Sequence, residues 1–205
     1  MTKTSLVVIS SLGTGAVGVG GYYSYHSLLN KPNTLLSRIQ FSLEKHKKIL
    51  SSGDKEWSGW TEVYKASSEN KISGIDSDGL SKWCETILKS VDETKLDLAS
   101  TWCVINTRTL LEEISSTSKT ALLPLKGDNA DAWGKAWEFY DKNKTQFGLA
   151  IEDSTFKQEA TDKAKGTEAL KKWCSGLLNK KMYEPLGSEV KAREKVEKWC
   201  SSNQV

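Results

Sequence analysis

The sequence predicts a mainly α protein, with an N-terminal transmembrane or signal-like helix followed by a duplicated helical domain. Three observations carry that reading. Between Lys3 and Lys31 there is no Asp, Glu, Lys or Arg. Beyond it, a set of Trp, Tyr, Leu and Cys positions occurs twice in the same order. Apolar residues from Thr34 onward fall at helical spacing, and period-2 alternation is scarce. The implied divisions are an N-terminal segment at 1–30, a first unit at 31–105 and a second at 106–205.

In the N-terminal segment, apolar residues run from Leu6-Val7-Val8-Ile9 through Leu12, Ala16, Val17 and Val19 to Tyr22-Tyr23. At ~1.5 Å per residue a helix over residues 5–27 would cross a ~30 Å hydrocarbon layer. Glycines at 13, 15, 18, 20 and 21 disfavour a helix in water, but membrane helices tolerate them. Tyr22, Tyr23 and Tyr25 suit the membrane interface. An uncleaved single-pass anchor is the first reading; a cleaved secretory signal is the second, because no A-x-A-like site follows. The orientation cues conflict. Lys31, Arg38, Lys45, Lys47 and Lys48 favour a cytoplasmic carboxyl side, whereas such a segment at the N-terminus favours export, the orientation preferred here. The expected partner is then the lipid bilayer, and the expected location the cell membrane.

Gly13 to Gly18 matches G-x-G-x-x-G, but the first acidic residue in the chain is Glu44 and no βαβ alternation follows. No cofactor is expected. The near balance of 29 basic and 26 acidic residues also gives no reason to expect a nucleic-acid surface. His46-Lys47-Lys48 and Asn179-Lys180-Lys181 read as solvated helix faces or ends.

The duplication aligns Thr34-Leu35-Leu36 with Thr109-Leu110-Leu111, and Trp57, Trp60 and Tyr64 with Trp133, Trp137 and Tyr140. It aligns Lys82-Trp83-Cys84 with Lys172-Trp173-Cys174, and Trp102-Cys103 with Trp199-Cys200. The offset grows from 75 at the threonines and 76 at Trp57/Trp133 to 90 at Trp83/Trp173 and 97 at Trp102/Trp199. The last step, seven residues, is close to two helical turns, so it can lengthen a helix and keep its face.

A first helix is expected after a Thr34 cap, with Leu35 or Leu36, Ile39, Leu43, His46 and Leu50 on one face. An aromatic helix follows Asp54, and its counterpart follows Asp128 or Asn129. Leu80, Trp83, Cys84, Ile87 and Val91 form a further stripe, matched by Leu170, Trp173, Cys174 and Leu177; Ala192, Val196, Trp199 and Cys200 complete the last helix. Gly53, Gly59, Gly74, Gly79 and Gly127 read as turns or helix ends. The scaffold candidates are Trp57, Trp60, Trp83, Trp102, Trp133, Trp137, Trp173 and Trp199.

Every cysteine follows a tryptophan. One reading is a packed aromatic–thiol core. The other is disulfide stapling, for which Cys84–Cys103 and Cys174–Cys200 are the natural pairs because they repeat within each unit. Metal binding is not expected, since these cysteines lack close C-x₂₋₄-C spacing.

No enzyme is expected. His26 falls in the N-terminal segment and His46 sits among lysines, and there is no G-x-S-x-G, H-E-x-x-H or phosphate-binding glycine loop. Glu112-Glu113 read as solvent-facing, and Asp76-Ser77-Asp78-Gly79 as a turn before the Leu80 helix, not a calcium loop.

The hydrophobic glycine-rich start, the length and the recurring Lys-Trp-Cys at 82–84, 172–174 and 198–200 resemble the uncharacterised paralogous proteins of haemotropic mycoplasmas. That resemblance implies surface exposure against red blood cells and antigenic diversity, without catalytic residues to carry over. The expected function is a non-enzymatic, membrane-anchored surface protein for host interaction or antigenic display, with a host or envelope protein as partner. The alternatives are a cytoplasm-facing membrane scaffold and an enzyme without a short motif.

Overall fold

Thr34 opens the first helix. In the computed structural model, which describes residues 33–127, 129–187 and 190–202, its hydroxyl accepts the Ser37 N–H and starts α1 (Leu35–Phe41). Leu35 and Ile39 are buried. The helix stops at Phe41, and Lys47–Ile49 form a strand, β1, so the expected helical face through Leu43, His46 and Leu50 is broken. The cause is tertiary. β1 pairs antiparallel with β2 (Val104–Asn106), setting Lys47 opposite Asn106 and Ile49 opposite Val104. Lys47 and Lys48 are therefore strand residues, not part of a helix face. Between the strands lie α2 (Trp57–Ala66), α3 (Leu80–Ile87) and α4 (Leu96–Trp102). Asp76 makes the turn before α3, accepting the Gly79 N–H at 2.8 Å.

The second half begins with α5 (Leu110–Thr117), closed by a reciprocal capping box between Thr109 and Glu112. Then come α6 (Ala130–Asn143), α7 (Ser154–Glu159), α8 (Lys163–Leu178) and α9 (Ala192–Trp199). Asp153 and Asp162 cap α7 and α8. Asn129 precedes α6 without capping it; its amide donates instead to the Lys126 carbonyl at 2.7 Å. Asp128, the other cap candidate, lies outside the described residues.

Buried apolar side chains gather in two clusters, one spanning Leu35 to Ile105 and the other Leu110 to Cys200. The same bonds hold both. The Leu35 N–H reaches the Ser90 carbonyl at 2.9 Å, and the Leu110 N–H reaches Lys180 at 2.8 Å. Leu50 bonds the Cys103 carbonyl at 2.9 Å and Leu123 bonds Cys200 at 2.8 Å. The indole N–H of Trp57 goes to Ser51 and that of Trp133 to Pro124. Tyr64 and Tyr140 hydroxyls each accept a backbone N–H at 3.1 Å, from Ile72 and Ile151. Trp102 and Trp199 donate to the Asn70 and Leu149 carbonyls at 2.6 and 2.8 Å. Each also meets its tyrosine edge-on, at centroid distances of 4.7 and 5.2 Å. Disulfides join Cys84 to Cys103 and Cys174 to Cys200, all four residues being buried.

The halves differ where the second is longer. Seven residues separate Ile72 from Leu80, whereas eighteen separate the equivalent Ile151 and Leu170; the excess forms α7 and the first turns of α8. The later seven-residue excess does not lengthen a helix, because α4 and α9 have seven and eight residues. It lies in the connection between α8 and α9. Trp60 and Trp137 are not equivalent either. The offset of 76 set by Trp57/Trp133 and Tyr64/Tyr140 places Ala136 at the Trp60 position. Trp60 donates to the Trp102 carbonyl, while Trp137 covers Gly166.

Gly59 was expected at a turn or helix end but lies inside α2. The loop after α8 passes so close that a β-carbon there would stand 2.9 Å from the Tyr183 carbonyl oxygen. Val91, expected on the α3 stripe, lies beyond the helix and is exposed.

The transmembrane or signal-like helix expected over 1–30, its G-x-G-x-x-G and His26 lie outside the described residues. Among the described residues no helix is long and apolar enough to cross a membrane. Even α8, sixteen residues long, carries Lys163, Lys165, Glu168, Lys171 and Lys172. This finding corrects the expected single-pass membrane protein, its lipid-bilayer partner, its cell-membrane location and both membrane-based functions. The residues from Thr34 build a globular helical fold whose short amphipathic helices spend their apolar faces on the two internal cores.

Two glycines of α8 give opposite expectations. A β-carbon at Gly166 would lie 2.2 Å from the Trp137 ring, whereas one at Gly176 meets nothing within 4 Å. Gly166→Ala should lower stability by about 1–3 kcal/mol through overpacking, and Gly176→Ala should raise it by about 0.5–1 kcal/mol. Denaturant unfolding of the two variants measures both; equal effects would mean that α6 and α8 do not pack in this way.

Candidate functional site

Lys172, Trp173, Gly176 and Leu177 follow helical spacing and share one face of α8, with Lys180 just beyond its end. Facing them are Asp153, Thr155, Phe156 and Glu159 at α7, with Leu186 and Gly187 from the following connection. Together they line a groove of about 360 Å³, large enough for a small ligand or a side chain. Its floor is apolar. Phe156 lies 6.4 Å from Trp173, ring centroid to centroid, and meets Tyr140 edge-on at 5.5 Å.

The charged rim is already organised. Lys172 pairs with Glu159 at 2.6 Å, Lys180 donates to the Pro185 carbonyl at 2.6 Å, and Asp153 accepts the Phe156 N–H at 2.8 Å. Trp173 is 91% buried, yet its indole N–H has no acceptor among the described residues. Trp57, Trp60, Trp102, Trp133 and Trp199 each donate to a backbone carbonyl, while Trp83 and Trp137, like Trp173, have no acceptor among the described residues.

A second, polar cleft of about 470 Å³ runs beside β1, β2 and α5, lined by His46, Trp60, Asn106, Arg108 and Glu113 among others. Here the sequence reading needs correction. Glu113 is not solvent-facing. Its carboxylate accepts from the Asn106 amide at 2.8 Å and from Arg108 at 3.3 Å. Burial opposes its charge, but those two donors outweigh it and lower its pKa. Glu112 serves the Thr109 cap, whose backbone N–H lowers its pKa. His46 is within 3.0 Å of Glu44, and its carbonyl accepts both the N–H and the hydroxyl of Thr107 at 2.8 Å.

Of the scaffold tryptophans, Trp173 lines the groove and Trp60 the polar cleft; Trp57, Trp102, Trp133 and Trp199 stand in the cores. Trp83 is half-buried on α3, and the disulfides lie in the cores away from either opening. Phe156, Glu159, Arg108 and Glu113 were not singled out from sequence as site residues. The one signal for the first two was the excess length of the second half between its aromatic helix and its Lys-Trp-Cys. Among the described residues no three His, Cys, Asp or Glu side chains gather as a metal site would require.

No family model matches the chain, and neither a curated protein nor a solved structure does.

A carboxylate whose pKa is lowered by folding stabilises the fold above its ordinary pKa. That contribution is lost as pH falls through the lowered value. For Glu113 the loss belongs at and below the ordinary glutamate value of about 4.3. Urea midpoints followed from about pH 7 to about pH 3 should drop more steeply for the native chain than for Glu113→Gln. Parallel curves would remove Glu113 from this role.

Proposed function

We propose that this chain is a non-enzymatic binding domain, and that its binding site is the groove between α7 and α8. The observation that carries the reading is where the second half departs from the first. Both of its extra stretches end at this one place, the first supplying Phe156 and Glu159 and the second Leu186 and Gly187. Extra residues that only lengthened loops would have no reason to wall a common apolar groove.

The groove's chemistry fits an apolar or aromatic ligand group, its lining being Phe156, Trp173 and Leu177 beside Lys172, Glu159 and Lys180. A catalytic role has less support, because Asp153 and Glu159 at the rim are committed to a helix cap and an ion pair. The two disulfides suit a setting oxidising enough to keep them formed.

Gly176 supplies the test, since a side chain there enters open space on the groove face. The native chain should enhance anilinonaphthalenesulfonate fluorescence. Gly176→Phe should abolish that enhancement while keeping or raising the melting temperature. Undiminished enhancement in a folded Gly176→Phe chain would place the binding elsewhere and sink the proposal.

A further inference from the structure

We propose that the outer face of α3, formed by Lys82, Trp83 and Ile87, docks an amphipathic helical segment of a partner protein carrying an aromatic residue and, three positions later, a carboxylate. This surface is separate from the groove and does not depend on that reading.

The argument starts from the equivalence of α3 with the second part of α8. Leu80, Lys82, Trp83, Cys84 and Ile87 correspond to Leu170, Lys172, Trp173, Cys174 and Leu177, and each Cys holds its half's disulfide. In the second half this face is covered by α7. Phe156 packs toward Trp173 and Glu159 pairs with Lys172, so the covering element offers an aromatic and an acid three residues apart, on one side of a helix.

The first half has no such element, because its connection from Ile72 to Leu80 is too short to hold one. The consequences are visible residue by residue. Trp173 and Leu177 are buried, while Trp83 and Ile87 are only half-buried. Lys172 has its carboxylate, while Lys82 is exposed and has no ion-pair partner among the described residues. Its neighbours Glu85 and Lys89 pair with each other at 3.0 Å, so Glu85 is already engaged and Lys82 stays unpaired among the described residues. Apolar area beside one unpaired cation is complementary to what α7 presents: an aromatic ring followed by a carboxylate. The second half thus displays the kind of helix that the first half's surface fits.

The chain itself supplies the probe, a synthetic peptide of residues 153–162 carrying Phe156 and Glu159. Nuclear magnetic resonance titration of the isotope-labelled full chain should shift the Trp83 indole N–H and the α3 amides. Lys82→Glu, an exposed change that leaves the core intact, should weaken binding about fivefold. A peptide with Glu159→Lys should recover it on that variant, and Lys172→Glu in the protein should leave the α3 shifts unchanged. Three results would overturn the proposal. One is binding insensitive to Lys82→Glu, or no binding. The second is shifts confined to Trp173 and lost with Lys172→Glu, meaning that the peptide replaces the chain's own α7. The third is self-association through α3 that the peptide does not compete, which would make a second copy the occupant.

Discussion

The indole N–H of the last tryptophan in each half must find an acceptor inside a dry core, and much of the fold is arranged around that requirement. Trp102 and Trp199 are almost wholly buried, so an unpaired N–H there would carry the full cost of desolvation. Each is satisfied by a carbonyl from the segment after the aromatic helix, Asn70 in one half and Leu149 in the other. That segment is fixed in turn by Tyr64 or Tyr140, whose hydroxyl takes the Ile72 or Ile151 N–H while its ring meets the same tryptophan edge-on. The next residue is the disulfide cysteine, and its carbonyl receives the Leu50 or Leu123 N–H. Four consecutive demands therefore meet at each Trp-Cys step, and relaxing one would strand a buried polar group belonging to another.

Such a knot can be copied, and most of the difference in length between the copies falls outside it. Three extra residues lie between Tyr140 and Leu149, but the larger additions enter between Ile151 and Leu170 and between α8 and α9, and the same tryptophan, tyrosine and disulfide contacts form in both halves. The second addition also contributes to the junction of the halves. Its Tyr183 packs against the first core, and the close backbone approach at Gly59 admits no side chain. Lys48, between Asp54 at 3.1 Å and Glu56 at 3.0 Å, adds a charged cluster on the same side. Glu56 has its pKa lowered chiefly by the Lys48 hydrogen bond, so the cluster is held charged.

The Lys-Trp-Cys motif gains a physical meaning from this arrangement. At 198–200 Trp199 stands in the core itself. In the copies at 82–84 and 172–174, successive helical residues point about 100° apart, so the cysteine faces the core and forms the disulfide while the tryptophan lies toward the next layer. The lysine before it stands at the outer edge. In the second half that edge is occupied by α7, and in the first it is open. Thr101 can replace the lysine before Trp102 because that tryptophan is turned inward and meets its own half's tyrosine.

The sequence by itself determined the helical class, the recurrence of the Trp-Cys framework and the Thr34 cap, since each depends on residue type at short spacing. Tertiary structure alone decided what depends on a distant partner. Residues 47–49 became a strand because β2 was available to receive their hydrogen bonds. Glu113 turned inward because Asn106 and Arg108 wait there with donors. Gly59 and Gly166 sit within helices because a passing backbone and the Trp137 ring need the space of a side chain. The groove belongs to the same class. Its walls come from α7, α8 and the connection at Leu186 and Gly187, which follows α8, and local periodicity carries no information about which face of one will meet the others.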